Sequence, residues 1–285
     1  MNWKPKGWIA ILIGIVLQPF VFLYVNRPKL FWIYFTVSSV VIGIDFLLLI
    51  NMDADSVFKH VNLSWIFFII CPIHAYKITK SYDENQPRNW YTRWWAIPSI
   101  YLSFFLPIFL CRVFLFEPFS IPSISMSPSI NVGDHVIVKK WGFGGYSTYG
   151  IDVIDTGLSG KSLVQRGKVY VFHPPHSKSP FVKRLIGLPG DLIEIKDDAI
   201  SVNGKILLSE LVSNLGKKTI YREENETNSY LIQRFHERFS SITSTITIPE
   251  NNYFFLGDNR DNSADSRTWG TVSGDDFVGE VVYVF

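Results

Sequence analysis

Long apolar runs separated by short polar connections dominate the first 116 residues of this 285-residue chain. Four of the runs approach the length of a membrane-spanning helix, since a bilayer core needs about 20 apolar residues and tolerates about 17. They extend over Trp8 to Val25, Leu30 to Ile50, Val61 to Tyr76 and Trp94 to Cys111. The amino-terminal part, residues 1 to 116, is therefore predicted to be α-helical and to cross a membrane about four times.

Basic residues are concentrated in the first and third connections between these runs. They are Arg27, Lys29, Lys77, Lys80, Arg88 and Arg93, whereas the second connection carries Asp53 and Asp55 against Lys59. Loops rich in Lys and Arg stay in the cytoplasm. The bias predicts a multi-pass protein of the cytoplasmic (inner) membrane whose carboxy-terminal domain is extracytoplasmic. No small-residue cleavage site follows the first run, so we expect that run to remain attached as an anchor.

Residues 117 to 285 have a different pattern, in which short β-branched and alternating runs are separated by turns. The predicted strands are His135 to Trp141, Lys168 to Phe172, Phe181 to Ile186, Leu192 to Ile195, Ala199 to Val202, Thr243 to Ile248, Tyr253 to Leu256 and Gly279 to Phe285. Short helices are considered for Ser209 to Leu215 and Tyr230 to Phe239, within a more polar, variable insertion at about 205 to 247. The prediction is a mostly-β domain of folded antiparallel sheets or a partly open barrel.

Composition excludes several classes of function. The formal charge is only +2, which predicts no nucleic-acid partner. Cys71 and Cys111 both fall in apolar runs, so neither a disulfide framework nor a cysteine nucleophile is expected in the second domain.

Cofactor motifs are also missing from the second domain. A calcium loop opening at Asp261 would need Gly at its sixth position and Glu at its twelfth, but the chain has Ser266 and Val272 there. His173 and His176 in "HPPH" lack further ligands and are interpreted as a turn rather than a zinc site. The segment "GFGGYSTYG" opens no helix and is not a phosphate loop. No metal and no cofactor is predicted.

Three segments of the second domain combine residues that carry chemistry: "PSISMSPSI" at 122 to 130, "FVKRLIGLPGD" at 181 to 191 and "GDNRDNSADSR" at 257 to 267. Strand alternation places Lys183 on one face with Phe181 and Leu185. A lysine titrates near ~10.4 in water, and apolar burial lowers that value by up to ~3 to 5 units. A buried, neutral Lys183 could take a proton from a serine hydroxyl without any histidine.

Three motifs, "IPSISMSPSI", "VKRLIGLPGD" and "GDNRDNSADSR" in this order after transmembrane segments, resemble those of bacterial type I signal peptidases, which are Ser/Lys membrane-bound endopeptidases. The resemblance covers residues 117 to 285. It implies a hydrolase that removes amino-terminal signal peptides from exported preproteins at the outer face of the cytoplasmic membrane. Its partners would be those preproteins and the lipid bilayer.

The resemblance also assigns roles to individual residues. Ser125 resembles the nucleophile and Lys183 the general base, while Ser123 and the Ser125 N–H resemble the oxyanion donors. Ser263 resembles the serine that orients the lysine amine. The implied supporting ion-pair network is Arg260, Asp265 and Arg267. The implied substrate pocket is Phe119, Ile121, Met126, Ile130, Val171, Phe181 and Val182. The family's usual Arg-Gly-Asp reads Arg166-Gly167-Lys168 here.

Two other functions remain open from the sequence. One is a related Ser/Lys maturation peptidase of narrower specificity, which a panel of precursors with A-x-A cleavage sites would distinguish. The other is a catalytically idle membrane scaffold, against which the intact serine, lysine and oxyanion serine argue.

Overall fold

The computed structural model describes residues 3–51, 62–156, 164–177, 179–196, 199–225, 228–235 and 243–285. Two compact units make up the chain, Met1–Pro107 and Ile108–Phe285. The charged residues of the second predicted connection (Asp53, Asp55 and Lys59) and the first residue of the third apolar run (Val61) lie outside the described residues.

Two helices in the described part of the chain are long and apolar enough to cross a membrane, so the prediction of about four spans is wrong. The helices are α1 (Gly7–Val16), α2 (Val21–Tyr24), α3 (Pro28–Asn51), α4 (Phe67–Lys80), α5 (Ala96–Phe114) and α6 (Ser266–Trp269). The two candidates are α3, over Pro28–Leu48 with a mean hydropathy of 1.9, and α5, with 1.8. Only 11% of each apolar window is buried within the protein. Surfaces of this kind are stable in lipid.

The other two apolar runs fail to form spans because their helices are interrupted. In the first run, α1 ends at Val16, Gln18 has a positive φ of 44°, and Pro19 lies in a 3-10 turn. The third run begins with a 3-10 turn, Leu63–Ile66, and continues as the 14-residue α4, which contains Pro72. At about 1.5 Å per residue, neither α1 nor α4 alone reaches the ~30 Å of a bilayer core.

Instead, α1 packs closely against α4 within the amino-terminal unit. A Cβ atom on Gly14 would lie 2.6 Å from the Pro72 Cα, so only glycine permits this approach. Around this contact a buried aromatic and aliphatic cluster includes Phe20, Phe22, Phe31 and Phe67. Asp45 in α3 accepts hydrogen bonds from the N–H groups of Leu63 and Ser64, each at 2.9 Å.

The carboxy-terminal unit consists mainly of antiparallel strands, which confirms the predicted fold class at that level. The described strands are β1 (Phe116–Ser120), β2 (His135–Lys139), β3 (Gly145–Thr148), β4 (Ile151–Asp155), β5 (Val169–Phe172), β6 (Phe181–Gly187), β7 (Leu192–Lys196), β8 (Ala199–Val202), β9 (Lys205–Ile206), β10 (Leu208–Leu215), β11 (Lys218–Glu224), β12 (Ser229–Phe235), β13 (Ser244–Thr247), β14 (Asn252–Leu256), β15 (Val272–Ser273) and β16 (Phe277–Val284). The segment "GFGGYSTYG" supplies β3 and the Tyr149-Gly150 turn of the β3–β4 hairpin.

The insertion is a sheet of order β10-β11-β12, so the short helices considered for it are wrong. Ser209 to Leu215 lies in β10, and the described part of Tyr230 to Phe239 lies in β12. The apolar spacing of Leu208, Leu211 and Leu215 imitates a helix, because a bulge between Leu211 and Ser213 interrupts strand alternation. Residues 236–239 lie outside the described part of the chain.

The largest sheet brings together the three segments at 122 to 130, 181 to 191 and 257 to 267. Its order is β1-β2-β16-β5-β6-β14-β15, and the first segment follows β1, the second forms β6 and the third follows β14. Because β14 runs antiparallel to β6, with Leu256 opposite Arg184, the third segment leaves β14 beside Lys183 and Arg184 of the second segment. Four antiparallel pairings separate β1 from β6, so these two strands run in the same direction.

Candidate active site

Hydrogen bonds from two directions along the chain, from Ser123 and from Asn259, fix the backbone of the loop that carries Ser125. Ile124–Met126 form a 3-10 turn, and the Ser123 side chain caps it by accepting from the Ser125 N–H at 3.5 Å. Asn259 also binds this turn. Its backbone N–H donates to the Ser125 carbonyl at 3.0 Å, and its Nδ2 donates to the Ile124 carbonyl at 3.1 Å. The Ser125 hydroxyl is therefore attached to a fixed backbone.

Strand β6 presents Lys183 directly to this hydroxyl. The Lys183 Nζ lies 2.6 Å from the Ser125 Oγ, and the lysine is only 3% exposed. Its amine also lies 5.6 Å from the centre of the Phe181 ring. The alternation along β6 thus brings together the two residues that the sequence resemblance paired.

Burial lowers the pKa of Lys183 to about 8, although Asp265 and Asp258 act in the opposite direction. Roughly one in ten of these amines is therefore neutral at pH 7, against about one in a few thousand for a free lysine. A neutral amine within hydrogen-bond distance of a serine hydroxyl can accept its proton. The pair has the geometry of an activated nucleophile and its base.

Ser123 lies beside the pair. Its Oγ is 3.1 Å from the Ser125 Oγ and within 3.5 Å of the Ser125 backbone nitrogen. The two groups predicted to bind an oxyanion, the Ser123 hydroxyl and the Ser125 N–H, therefore lie on the same side of the nucleophile loop. Fixed donors of this kind can stabilise a developing negative charge.

Ser263 is close to the nucleophile loop but forms no hydrogen bond through its buried Oγ within the described part of the chain. A Cβ atom on Gly257 would lie 2.2 Å from this Oγ and 2.6 Å from the Ser125 carbonyl oxygen. Gly257 therefore allows the third segment to approach the first. The predicted contact between Ser263 and the Lys183 amine is not made, and its orienting role stays a prediction.

The predicted ion-pair network is divided between two acids. Arg267 forms a two-point pair with Asp265, at 2.8 Å for each bond, and Asp265 also accepts from the Gly257 N–H at 3.0 Å. Arg260 joins this pair only through its carbonyl, which accepts from Arg267 at 2.5 Å. The Arg260 guanidinium instead pairs with Glu223 of β11, with two bonds of 2.6 Å.

Glu223 was not expected from the sequence, and neither was a second buried pair, in which Arg184 binds Asp258 at 2.7 and 2.5 Å. Burial raises the pKa of Glu223, but Arg260 and Tyr230 outweigh that effect and hold it below its ordinary value. Because Gln233 of β12 also exchanges backbone hydrogen bonds with Asp258 and Arg260, the insertion is attached directly to the third segment.

Six of the seven predicted pocket residues lie in a single apolar cluster. Ile121, Met126, Ile130 and Val171 are buried in it, and Phe119 and Val182 pack against it at its edge. Phe181 belongs to the adjacent cluster. The cluster includes Met126, the residue after Ser125, so an apolar surface lies beside the Ser125 hydroxyl.

Lys168, which stands where the family usually has aspartate, forms an ion pair of its own. The Lys168 Nζ lies 3.8 Å from the Glu280 carboxylate, in a partly exposed pair, while Arg166 pairs with Asp191 at 2.8 Å. Both pairs lie outside the dyad. The lysine at this position is thus accommodated by an acid on the adjacent strand.

Residues 92–285 match the family model described as "Signal peptidase, peptidase S26". The chain belongs to this peptidase family. The match covers the carboxy-terminal unit and the whole of α5, and therefore includes Ser125, Lys183 and the whole third segment. Family membership agrees with the geometry of the Ser125–Lys183 pair.

Curated relatives carry the name signal peptidase I. The protein from Pseudomonas aeruginosa is 39% identical over 177 residues, which are 59% of this chain and 61% of the relative. The protein from Buchnera aphidicola subsp. Schizaphis graminum is 30% identical over 67% of this chain and 74% of its own length. A solved signal peptidase I from Enterococcus faecalis V583 is 33% identical, with 42% of this chain and 97% of that chain covered and a TM-score of 0.30.

Sequence patterns did not predict the roles of Asn259, Gly257 and Glu223, or the Arg184–Asp258 pair. The first two belong to the recognised "GDNRDNSADSR" segment, so their position in the motif was a usable signal. Glu223 lies in the insertion, 37 residues before its partner, and no local pattern pointed to it.

Proposed function

We propose that this protein is a membrane-bound serine endopeptidase that removes amino-terminal signal peptides from exported preproteins by a Ser125/Lys183 dyad. The observation that supports it most directly is the 2.6 Å contact between the buried Lys183 Nζ and the Ser125 Oγ. Membership of the signal peptidase S26 family supports the class of reaction and substrate.

The reaction begins when neutral Lys183 accepts the Ser125 proton and the Ser125 Oγ attacks the scissile carbonyl carbon. The resulting oxyanion is stabilised by the Ser123 hydroxyl and the Ser125 N–H. The C–N bond then breaks as protonated Lys183 gives its proton to the leaving amine, and an ester to Ser125 remains. Lys183, neutral again, takes a proton from a water molecule as that water attacks the ester carbon. The ester C–O bond then breaks, protonated Lys183 returns the proton to the Ser125 Oγ, and the signal peptide leaves with a free carboxyl group.

Specificity for small side chains fits the apolar cluster next to Ser125. A substrate added as an extended strand presents alternate side chains to the same surface. In this proposal the first and third residues before the scissile bond point toward Met126, Ile121 and Val182, where little space is left for large side chains.

The membrane location rests on α3 and α5, and the orientation rests on the flanks of α5. Arg88 and Arg93 precede this helix, together with Trp90, Trp94 and Trp95, and interfacial tryptophans with basic residues are typical of a cytoplasmic helix end. The chain that follows α5, including Ser125, then lies at the outer face.

The test is cleavage of one signal-bearing precursor by the purified full-length protein in detergent, with the new amino terminus sequenced. Ser125→Ala and Lys183→Ala should each abolish cleavage, while the matched variants Ser127→Ala and Lys196→Ala should retain it. Sustained cleavage by Ser125→Ala would refute the dyad. A new amino terminus that does not follow a small residue would refute the proposed specificity.

A further inference from the structure

A cavity of about 750 Å³ adjoins the apolar cluster of the site without belonging to the dyad. One wall is the first half of β1, with Glu117 and Phe119. A second wall is the turn of the β3–β4 hairpin around Tyr149, and a third is the loop between β5 and β6, including His176 and Pro180. Serine, threonine, histidine and aspartate side chains line much of it, so it can accept peptide groups as well as apolar atoms.

The cavity lies upstream of the reactive hydroxyl along two strands. Pro180 is three residues before Lys183 on the same extended segment, which is about 10 Å at strand spacing. Phe119 is six residues before Ser125 and packs at the edge of the pocket cluster. Because β1 and β6 run in the same direction, both strands lead from the cavity toward the dyad.

The hairpin wall is fixed by polar contacts with the last turn of α5. The Arg112 guanidinium lies 3.9 Å from the centre of the Tyr149 ring, and its Nε donates to Thr148 at 3.2 Å. Thr148 donates in turn to Glu117 at 2.8 Å, and the buried Lys140 pairs with Glu117 at 2.9 Å. These contacts keep the cavity open rather than letting the hairpin collapse onto β1.

We propose that this cavity binds the part of the substrate that precedes the small-residue positions, roughly the fourth to sixth residues before the scissile bond, as an extended polar segment. The inference rests on the proposed function. The three residues nearest the scissile bond span the same length as Pro180 to Lys183, so the next residues reach the cavity.

The direction of the substrate follows from the chain connection at this end. Helix α5 ends at Phe114, and β1 begins two residues later at Phe116. A substrate whose apolar segment lies in the bilayer therefore approaches from the beginning of β1. Its polar stretch between the apolar segment and the cleavage site passes over the cavity before it reaches Ser125.

The test compares two peptides cleaved by the purified full-length protein. Both share the same sequence from the third residue before the bond to the second after it, and one is extended upstream by five polar residues. We expect kcat/KM to be about tenfold higher for the extended peptide, since contacts remote from the bond contribute to transition-state binding. His176→Trp and Asp152→Trp enlarge two exposed side chains that line the cavity, one in the loop between β5 and β6 and one in β4, and should bring this ratio close to one.

Both substitutions should reduce cleavage of the extended peptide much more than cleavage of the short peptide, because the short peptide does not reach the cavity. Ser209→Trp on exposed β10 is the control and should preserve the ratio. A wild-type ratio near one, or a ratio that both filling variants leave intact, would overturn the inference while the peptidase remains active. If the wild type cleaves neither peptide, the proposed function itself fails, and the inference fails with it.

Discussion

Among the described residues of the carboxy-terminal unit two lysines are buried, and the groups that face them differ. Lys140 is 0% exposed and lies 2.9 Å from the Glu117 carboxylate, which also pairs with Arg112. Lys183 is 3% exposed, but its hydrogen-bond partner is the Ser125 hydroxyl, and among the described residues no carboxylate lies within ion-pair distance of it. A buried lysine beside a carboxylate holds structure together, whereas one beside a hydroxyl is available as a base.

The same distinction separates the Lys183 amine from the arginine side chains around the site, which are paired with carboxylates. Arg260 with Glu223 and Arg184 with Asp258 are buried acid–base pairs and Arg267 with Asp265 is a partly buried one, whereas among the described residues Lys183 has no carboxylate within ion-pair distance. Breaking a buried pair leaves an uncompensated charge, which is strongly destabilising. Removing the unpaired amine leaves no such charge and should affect chemistry alone.

The largest expected effect comes from replacing the two lysines in the same way. Lys183→Met should reduce kcat/KM by about 10⁴-fold or more, because the hydroxyl loses its base, and should leave thermal unfolding unchanged or at a higher temperature. Precursor cleavage and differential scanning calorimetry on the same preparation measure the two quantities.

Lys140→Met should give the opposite result. It leaves the Glu117 carboxylate with one partner fewer, so we expect the free energy of unfolding to fall by about 3 kcal/mol. Cleavage of the short peptide should persist at temperatures where the variant is folded. If both variants lost activity equally while both stayed folded, the contrast between the two lysines would not hold.

The next largest effect tests whether Glu223, in the insertion, stabilises the site through its pair with Arg260. Glu223→Gln leaves Arg260 buried without a counter-charge, so we expect a loss of about 3 kcal/mol in the free energy of unfolding and about 100-fold in kcat/KM, as the third segment loosens around the nucleophile. Glu224→Gln is the matched control, since Glu224 is the exposed neighbour on the same strand. Wild-type activity in Glu223→Gln would show that the insertion does not hold the site.

Sequence and structure agree where a short motif determines the contact. Ser125, Ser123 and Lys183 were expected together from their motifs, and strand alternation alone placed Lys183 on an apolar face. Glu223 could not be found in this way, because its pairing with Arg260 depends on how a distant sheet docks against the third segment. Local patterns cannot encode that.

The span count failed for a related reason. Hydropathy measures composition over a window, but whether a helix continues depends on local backbone conformation, such as the positive φ of Gln18 and the 3-10 turns at Gln18–Phe20 and Leu63–Ile66. The helix considered at Ser209 to Leu215 failed in a stretch where a bulge between Leu211 and Ser213 interrupts strand alternation.

A moderate effect should appear in the pH dependence of cleavage. With a pKa of about 8 for Lys183, the active neutral form is protonated as pH falls below that value, so activity rises with pH. The neutral fraction grows from roughly one-tenth at pH 7 to roughly nine-tenths at pH 9, which predicts about a ninefold increase in kcat/KM. A profile that stays level across this range would contradict the assignment of Lys183 as the base.

The smallest expected effect concerns the clamp on the nucleophile loop. Asn259→Ala removes the bond from Nδ2 to the Ile124 carbonyl but keeps the backbone bond to the Ser125 carbonyl. A hydrogen bond of about 1 kcal/mol corresponds to about a fivefold loss, and we expect it in kcat, with KM nearly unchanged, because the bond positions Ser125 rather than the substrate. Asn262→Ala, at an exposed asparagine three residues later, is the control. A loss confined to KM would instead mean that Asn259 acts on substrate binding, and the positioning role would then have to be abandoned.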